Sequence, residues 1–426
     1  MSQASALARV VGEIWRLRYA RTVNRYVYRD PVSRLGMRAN LADPYPTYAR
    51  LREEGPFRRL RTGDLATAHH AICRDILRDR RFGVRVPGDR GPTEQPAQLV
   101  FDLGFLDRDE PDHARLRRLV APAFSPKKMD SYRPVIERTA EQLLSGVGGS
   151  TFDLIGRYAN PLPVTVITAL LGVDAAESAR ITRHGSALVT AINGIRSIRH
   201  LRQLFLANTD LERMFNDLIA RRRAEPGEDV VSTLVAAERG GSLTGYELYI
   251  TCSLLLIAGF ETTVNLIGNG VKALLDHPDQ WAALRADPDL APRAVEEILR
   301  WDPPVQNTYR IAHEEVELAG RRIPPGQGVV LLIGGAGRDP AAFEDPDRFD
   351  ITRTGTPDHL AFSAGAHYCL GAPLARLEGE IALRHLVQHL PDLRRAGRTP
   401  MRPSFTLHGM RRMPVTSPAT PSPVPA

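Results

Sequence analysis

The sequence predicts a mainly α-helical protein with a small β region, built as one large domain. Three observations predict it. Up to about residue 300, apolar residues recur at three- and four-residue spacing with charges between them, the pattern of packed helices. From Val316 to Gly335, "VELAGRRIPPGQGVVLLIGG", the pattern changes to short runs broken by glycine and proline, which reads as strands and turns. No internal repeat and no low-complexity linker divides the 426 residues.

In chain order, residues 1–42 read as an N-terminal extension. Val10, Val11, Ile14, Trp15 and Leu17 recur near helical spacing with arginines between them. A helix packed on the body is the first reading, and a helix lying on a membrane surface is the second. The segment lacks the apolar core and cleavage site of a signal peptide. Residues 43–413 form the main domain, with helices expected over Met129–Leu144 and Leu201–Arg223. Thr244 and Glu247 make a capping box before a long apolar run, and Pro278 stops it. Gly245 to Asp276 would then be a helix of roughly 48 Å, apolar on most sides and therefore buried. The tail 414–426, rich in proline and serine, reads as disordered.

Composition narrows the class. Hydrophobic residues are 43% and charged residues 25%, as in ordinary globular proteins. The longest apolar stretch, Tyr249–Phe260, is too short to span a bilayer and reads as a buried helix. Cys73, Cys252 and Cys369 are odd in number and far apart, so no disulfide framework is implied and a reducing cytoplasm fits. The net charge of +7 is a modest bias that favours acidic partners or plain solubility and gives nucleic-acid binding little support. Nothing calls for a second copy, so a monomer is expected.

Three stretches carry chemistry. The first is "AGFETT", Ala258–Thr263, inside the long apolar helix, where an acid and two hydroxyls are costly without partners. Gly259 weakens the helix by about 1 kcal/mol relative to alanine. Two readings stand. Either Gly259 permits close helix packing and the Thr262 hydroxyl bonds back to the Ala258 carbonyl, or a ligand site is cut into the helix. In the second reading Gly259 leaves room, Thr262 offers a hydroxyl and Glu261 supplies protons. Successive residues do not share a helix face, so a relay between Glu261 and Thr262 would need water.

The second stretch is "VEEILRWDPPV", where Glu297 and Arg300 stand one helical turn apart and Arg348 could join them in a buried network. The third is "FSAGAHYCLG", Phe362–Gly371. A lone cysteine is most often a small hydrophobe. Zinc spacing is absent, and His367 finds no further member of a catalytic triad. Gly365 lets the loop turn tightly, and a helix over Leu370–Leu386 would aim its positive end at the sulfur. A thiolate in such a loop suits a single axial ligand to haem iron.

Together, these stretches resemble the bacterial cytochromes P450, haem-thiolate monooxygenases, with a narrower likeness to actinobacterial and mycobacterial members. The resemblance runs from "DPYPTYARLREEGP" at Asp43 to "GMRRMPV" at Val415. Phe-x-x-Gly-x-His-x-Cys-Leu-Gly is its most specific part. It implies a triangular helical body whose long central helix crosses over haem b. Cys369 would be the proximal iron ligand, with Phe362 and Gly371 beside the haem and Ala258 and Gly259 over it. Glu261 and Thr262 would deliver protons to dioxygen. Glu297, Arg300 and Arg348 would form the structural ion network. His113, Arg117, Arg310 and His367 would hold the haem propionates.

The resemblance further implies an external ferredoxin with an NAD(P)H-dependent reductase, and O2 insertion into a lipophilic substrate. Arg115, Arg118, Lys127, Lys128 and Arg376 are candidate ferredoxin contacts. The alternatives are a peroxide-driven peroxygenase and a haem or ligand binder without turnover. Expected pocket walls are Phe82–Leu106, Leu188–Leu206, Ala258–Thr262, Val305–Thr308 and Phe405–Leu407. Two positions depart from the family pattern: Ser363 stands where glycine is usual, with a small effect expected, and Gly337 where asparagine is usual.

Overall fold

The computed structural model describes residues 19, 22–86, 102–147, 149–193, 195 and 197–418. The apolar positions Val10 to Leu17 of the N-terminal extension lie outside them. The helices that build the body are α1 (Tyr45–Glu53), α2 (His70–Arg78), α3 (Asp112–Val120), α4 (Pro126–Leu144), α5 (Pro161–Leu171), α6 (Ser178–Val189), α7 (Ile198–Ala224), α8 (Val230–Arg239), α9 (Gly245–Asp276), α10 (Ala291–Trp301) and α11 (Ala372–His389), with shorter helices between them.

Helix α9 is the axis, and its start follows from local chemistry. The Thr244 hydroxyl accepts from the Glu247 N–H at 3.2 Å, and the Glu247 carboxylate accepts from the Thr244 N–H at 2.8 Å. Two N–H groups that the helix itself leaves unpaired are thus satisfied. Helices α5, α6, α7, α8, α10 and α11 all pack on α9. Among the described residues it is the one helix long and apolar enough to cross a membrane, but its apolar window is mostly buried within the protein, as in a core helix.

The β region brings distant parts of the chain together. Five strands pair in the order β1 (Arg58–Arg59), β2 (Leu65–Thr67), β8 (Gly328–Leu331), β5 (Thr308–Ala312), β3 (Phe82–Gly83). β2 runs parallel to β8, with Leu65 opposite Val329, and the other pairs are antiparallel. Between β5 and β8, β6 (Val316–Leu318) and β7 (Arg321–Ile323) form a hairpin. This is the run that the glycine and proline punctuation predicts.

One expectation is corrected in the third sheet. Pro414–Thr416, assigned by composition to a disordered tail, is β10, the middle strand between β4 (Thr151–Asp153) and β9 (Arg394–Arg395). Val415 is fully buried there, and the Leu154 N–H donates to the Met413 carbonyl at 2.9 Å. Proline is tolerated at the first position of a strand, and the buried valine anchors the rest. Residues 419–426 lie outside the described residues.

The ion network also differs from expectation. Arg300 is almost wholly buried and forks onto Glu297 with bonds of 2.7 and 2.8 Å. Its remaining N–H groups donate to the carbonyls of Gly337, Pro346 and Arg348. Arg348 therefore contributes its backbone. Its side chain points to solvent, 64% exposed, and pairs with Asp350. The second cation on Glu297 is Arg353, at 3.5 Å and 13% exposed. Gly337 is required where it stands, because a Cβ would lie 2.1 Å from the Arg300 carbonyl oxygen.

Candidate active site

The middle of α9 is buried except on one face. Between Ile250 and Val271 only Ile257, Ala258, Gly259 and Thr262 are accessible. Ala258 is exposed while its helix neighbours toward both ends are buried, so this face opens onto a space inside the protein. The Thr262 hydroxyl donates to the Ala258 carbonyl at 2.9 Å, the local bond expected of a threonine in a helix. The room left by Gly259 is taken by the protein: a Cβ there would meet Ile167 of α5 at 2.8 Å. Its backbone stays half-open beside Ala258.

Glu261 points elsewhere, as adjacent helix positions require. It is 1% exposed, contacts Arg402 at 2.6 Å and accepts from the Ser186 hydroxyl at 3.1 Å. Thus the acid and the hydroxyl occupy different environments one residue apart. The acid is held by charge and the hydroxyl stands at the open face.

The cysteine loop is closed by its own backbone, where the Cys369 N–H donates to the Phe362 carbonyl at 2.8 Å. Gly365 has φ +66°, and a Cβ on it would stand 2.3 Å from the Leu77 carbonyl oxygen of α2. Glycine alone satisfies both constraints. Ser363 has φ +63°, a left-handed conformation, so the departure from glycine carries strain that the sequence reading set too low. Cys369 is exposed, yet the surrounding protein is dense enough that burial raises its thiol pKa. A side chain both accessible and enclosed lines an internal cavity. The N–H groups of Gly371 and Ala372 at the start of α11, with Arg117 and Arg376, pull the thiol the other way and favour a thiolate.

Four basic groups converge beside this loop. The rings of His113 and His367 lie 4.1 Å apart, joining α3 to the loop. Arg117 donates to the Tyr368 carbonyl at 2.6 Å. Arg310, 5% exposed, has only neutral hydrogen-bond acceptors, the Thr308 hydroxyl and the Tyr309 carbonyl, and burial brings its pKa down to about 10. Burial, then the charges of Arg310, His113 and Arg117, push His367 down to about 3. His113 Nε2 and His367 Nδ1 are buried without a hydrogen-bond partner among the described residues. His113 Nδ1 meets Glu110 at 3.1 Å, but the other ring nitrogen and the two arginines hold no carboxylate, and carboxylates would satisfy these idle groups. Haem carries two carboxylates and an iron that takes a thiolate, so the residues present fit it.

Several contacts were not legible beforehand. Arg402, Ser186 and Arg353 reach their partners from distant segments. Glu378 of α11 is 2% exposed, bonds Thr263, and is pushed up to about 8 by burial. The signal for Glu378 was present: it falls on the apolar side of its helix, one turn after Leu374. On the face near Cys369, Glu296 holds Arg376 at 2.7 Å and His359 at 3.2 Å, and the Arg376 guanidinium lies 4.6 Å over the Phe362 ring.

Some expected pocket walls move. Phe82 is buried in the sheet core, and residues 87–101 lie outside the described residues. Phe205 and Leu206 face a separate open cleft between α6 and α7, lined by Arg180, Arg183 and Asp210, which shares no residue with the Cys369 and Thr262 surfaces. Residues 305–308 and 405–407 do pair, through the Val305–Leu407 bridge and the Gln306 N–H to the Thr406 carbonyl at 2.8 Å.

Comparison with known proteins agrees with this geometry. A family model described as Cytochrome P450 matches residues 194–391. Cytochrome P450 monooxygenase PikC of Streptomyces venezuelae is 41% identical over 88% of this chain and 91% of that protein. The 6-deoxyerythronolide B hydroxylase of Saccharopolyspora erythraea is 39% identical over 88% of this chain and 96% of that protein. A crystal structure of P450BioI, in complex with an acyl carrier protein ligated to hexadec-9Z-enoic acid, superposes with a TM-score of 0.84. It is 38% identical and covers 89% of this chain and 99% of that one. Identity of about 40% over 88% of the chain, beside a thiol-bearing loop, a cluster of bases and an opened central helix, makes the chain a member of the cytochrome P450 family, the haem b monooxygenases.

Proposed function

We propose that this chain inserts one oxygen atom of O2 into a lipophilic small molecule, using electrons from an external ferredoxin and its NAD(P)H-dependent reductase. The observation that carries the reading is the convergence on the accessible Cys369 thiol of Arg310 and Arg117, which bond only neutral acceptors, with the unpartnered ring nitrogens of His113 and His367. Haem bound there would supply oxygen activation, helped by electron donation from the thiolate. Cys369 would ligate the iron, and His113, Arg117, Arg310 and His367 would bond the propionates. Phe362 and Gly371 would border the ring on the cysteine side, and Ala258 and Thr262 on the other.

Thr262 presents a hydroxyl at the open face and holds a proton there. Glu261, held by Arg402, would relay protons to it from behind, and water must bridge the two because they share no face. The held acid and hydroxyl favour O2 as oxidant over peroxide, and favour turnover over mere binding. Lipophilic substrates are supported by the apolar residues around the open face and by two relatives, one a 6-deoxyerythronolide B hydroxylase and the other bound to a fatty acyl carrier protein. Among the candidate ferredoxin contacts, Arg118 and Lys127 are exposed, whereas Arg115 and Arg376 already pair with Glu247 and Glu296. Docking is therefore assigned to Arg118 and Lys127, and the enzyme to the cytoplasm, where three free cysteines are at home.

The test is the absorption spectrum of the dithionite-reduced protein with carbon monoxide. A Soret band shifted to the red, as thiolate ligation gives, is expected, and Cys369→Ala should abolish it. An unshifted band would remove Cys369 as ligand, and absence of haem would remove the reading altogether.

A further inference from the structure

The end of α11 carries two histidines that the haem site does not use, His385 and His389. They stand at i and i+4, on one face of the helix. Their rings accordingly stack, 5.7 Å between centroids and 11° from parallel. Both side chains are partly exposed, so this face opens to solvent.

Their hydrogen bonds leave the rings ready to ligate. His389 Nδ1–H donates to the His385 carbonyl at 2.9 Å, so in the neutral ring Nε2 carries the free lone pair. Among the described residues nothing bonds the His385 ring, and its Nδ1 is buried without a partner. Burial, then the charge of His389, lowers the pKa of His385, which favours the neutral form that binds metals. Arg384 acts in the same direction, but Asp289 and Glu380 engage it at 3.2 and 3.4 Å.

Helix α4 packs along α11, and its Glu137 and Glu141 act on His385 in the opposite sense. Glu137 is shared with Arg133 at 3.7 Å. Glu141 is exposed and pairs with no cation among the described residues. Two imidazoles thus stand beside an uncompensated carboxylate. They do so at the carboxyl end of a helix, where the last carbonyls favour positive charge.

We propose that His385 and His389 chelate one divalent ion of the copper, nickel and zinc group. Imidazole suits these metals, whereas magnesium and calcium take oxygen ligands. Bonds of about 2.0–2.1 Å place two nitrogens on one ion roughly 3–3.5 Å apart. The His385 ring, pinned by no hydrogen bond, turns to bring its Nε2 to that of His389. No three His, Cys, Asp or Glu side chains are already grouped for a metal among the described residues. Water therefore completes the coordination, and Glu141 contributes charge rather than a bond. The ion would clip the last turn of the helix whose first turn faces Cys369.

The experiment is calorimetric titration of the untagged, metal-stripped holoenzyme with copper, nickel and zinc chlorides near neutral pH. One ion per chain is expected, copper being held most tightly. His385→Asn and His389→Asn should each weaken binding by about tenfold or more, because the second bond of a chelate is intramolecular. Glu141→Gln should weaken it by a smaller factor. Zinc should raise the melting temperature of the parent and not that of the histidine variants. The reduced carbon monoxide spectrum of each variant must match the parent, which separates loss of fold or haem from loss of the ion. The proposal is overturned if the parent binds none of the three ions, or if both histidine variants bind as it does. Loss in only one of those variants would overturn chelation, and so would a zinc-loaded parent that melts no higher.

Discussion

Arg402 and Glu261 form an ion pair at 2.6 Å that ties the loop before the last strand to the middle of α9. The carboxylate is 1% exposed and the guanidinium 23% exposed. Removing the cation leaves a buried charge without its partner, and such changes cost about 3–5 kcal/mol. Arg402→Ala should therefore lower unfolding stability by about 3 kcal/mol, and Arg402→Lys by less. Urea unfolding followed by circular dichroism measures both. Equal losses in the two variants would show that charge is not what Arg402 contributes.

Thr262→Ala removes the hydroxyl at the open face but no packing atom of consequence. Haem content and the carbon monoxide spectrum should stay at parent values. Product formed per O2 consumed should fall by about tenfold or more, since positioned proton donors contribute on that scale. Comparing oxygen uptake with product yield checks this, and fully coupled turnover would remove Thr262 from proton delivery.

The two arginines beside Glu297 should behave oppositely. Arg348→Ala changes an exposed side chain and should stay within about 0.5 kcal/mol of the parent. Arg353→Ala removes a mostly buried cation from the carboxylate and should cost about 1–3 kcal/mol. Reversed magnitudes in thermal unfolding would restore Arg348 to the network.

Ser363 sits at φ +63° with its hydroxyl buried and unpartnered among the described residues. Left-handed backbone costs a side-chain-bearing residue about 1–2 kcal/mol, and glycine returns part of that gain as flexibility of the unfolded chain. Ser363→Gly should thus stabilise the holoenzyme by roughly 0.5–1 kcal/mol. Differential scanning calorimetry would show a higher melting temperature, and a lower one would mean that the hydroxyl has a use.

Glu378 gives a pH dependence. Burial raises its carboxyl to about 8 in the folded protein, against an ordinary value of 4.5. The folded state then binds more protons than the unfolded state between these two values, so its contribution to stability falls as pH rises through that window and levels off above about 8. Glu378→Gln removes the titration. The variant should gain about 2–4 kcal/mol on the parent between pH 5 and pH 8, compared by denaturation at both. Parallel curves would show that Glu378 ionises without penalty.

Features that rest on local chemistry were legible in the sequence. The capping box at Thr244 and Glu247, the stop at Pro278 and the glycine in the cysteine loop each depend on residues within a few positions. The pair Glu297 and Arg300 is likewise one helical turn. What was misread depends on contacts far along the chain. Arg348 and Arg353 are five residues apart on one loop, and only the fold decides which side chain turns inward. Arg402 meets Glu261 across the molecule, with no spacing to announce it. Pro414–Thr416 resembles its disordered neighbours in composition, and its order comes from the two strands that flank it. Phe82 and Leu206 read as equally apolar, but one lies inside a sheet and the other on an outer cleft.

That last strand sets a timetable for synthesis. β10 fills the gap between β4 and β9, so β4, made about 260 residues earlier in translation, waits for Pro414–Thr416 to be paired. The haem site has the same two-ended construction, with His113 emerging long before Cys369. A nascent chain therefore presents His113 and the first helices well before the thiol, and haem capture waits until Cys369 has been made. Deleting Pro414–Thr416 would be felt as failed maturation, a defect in yield rather than in catalytic rate.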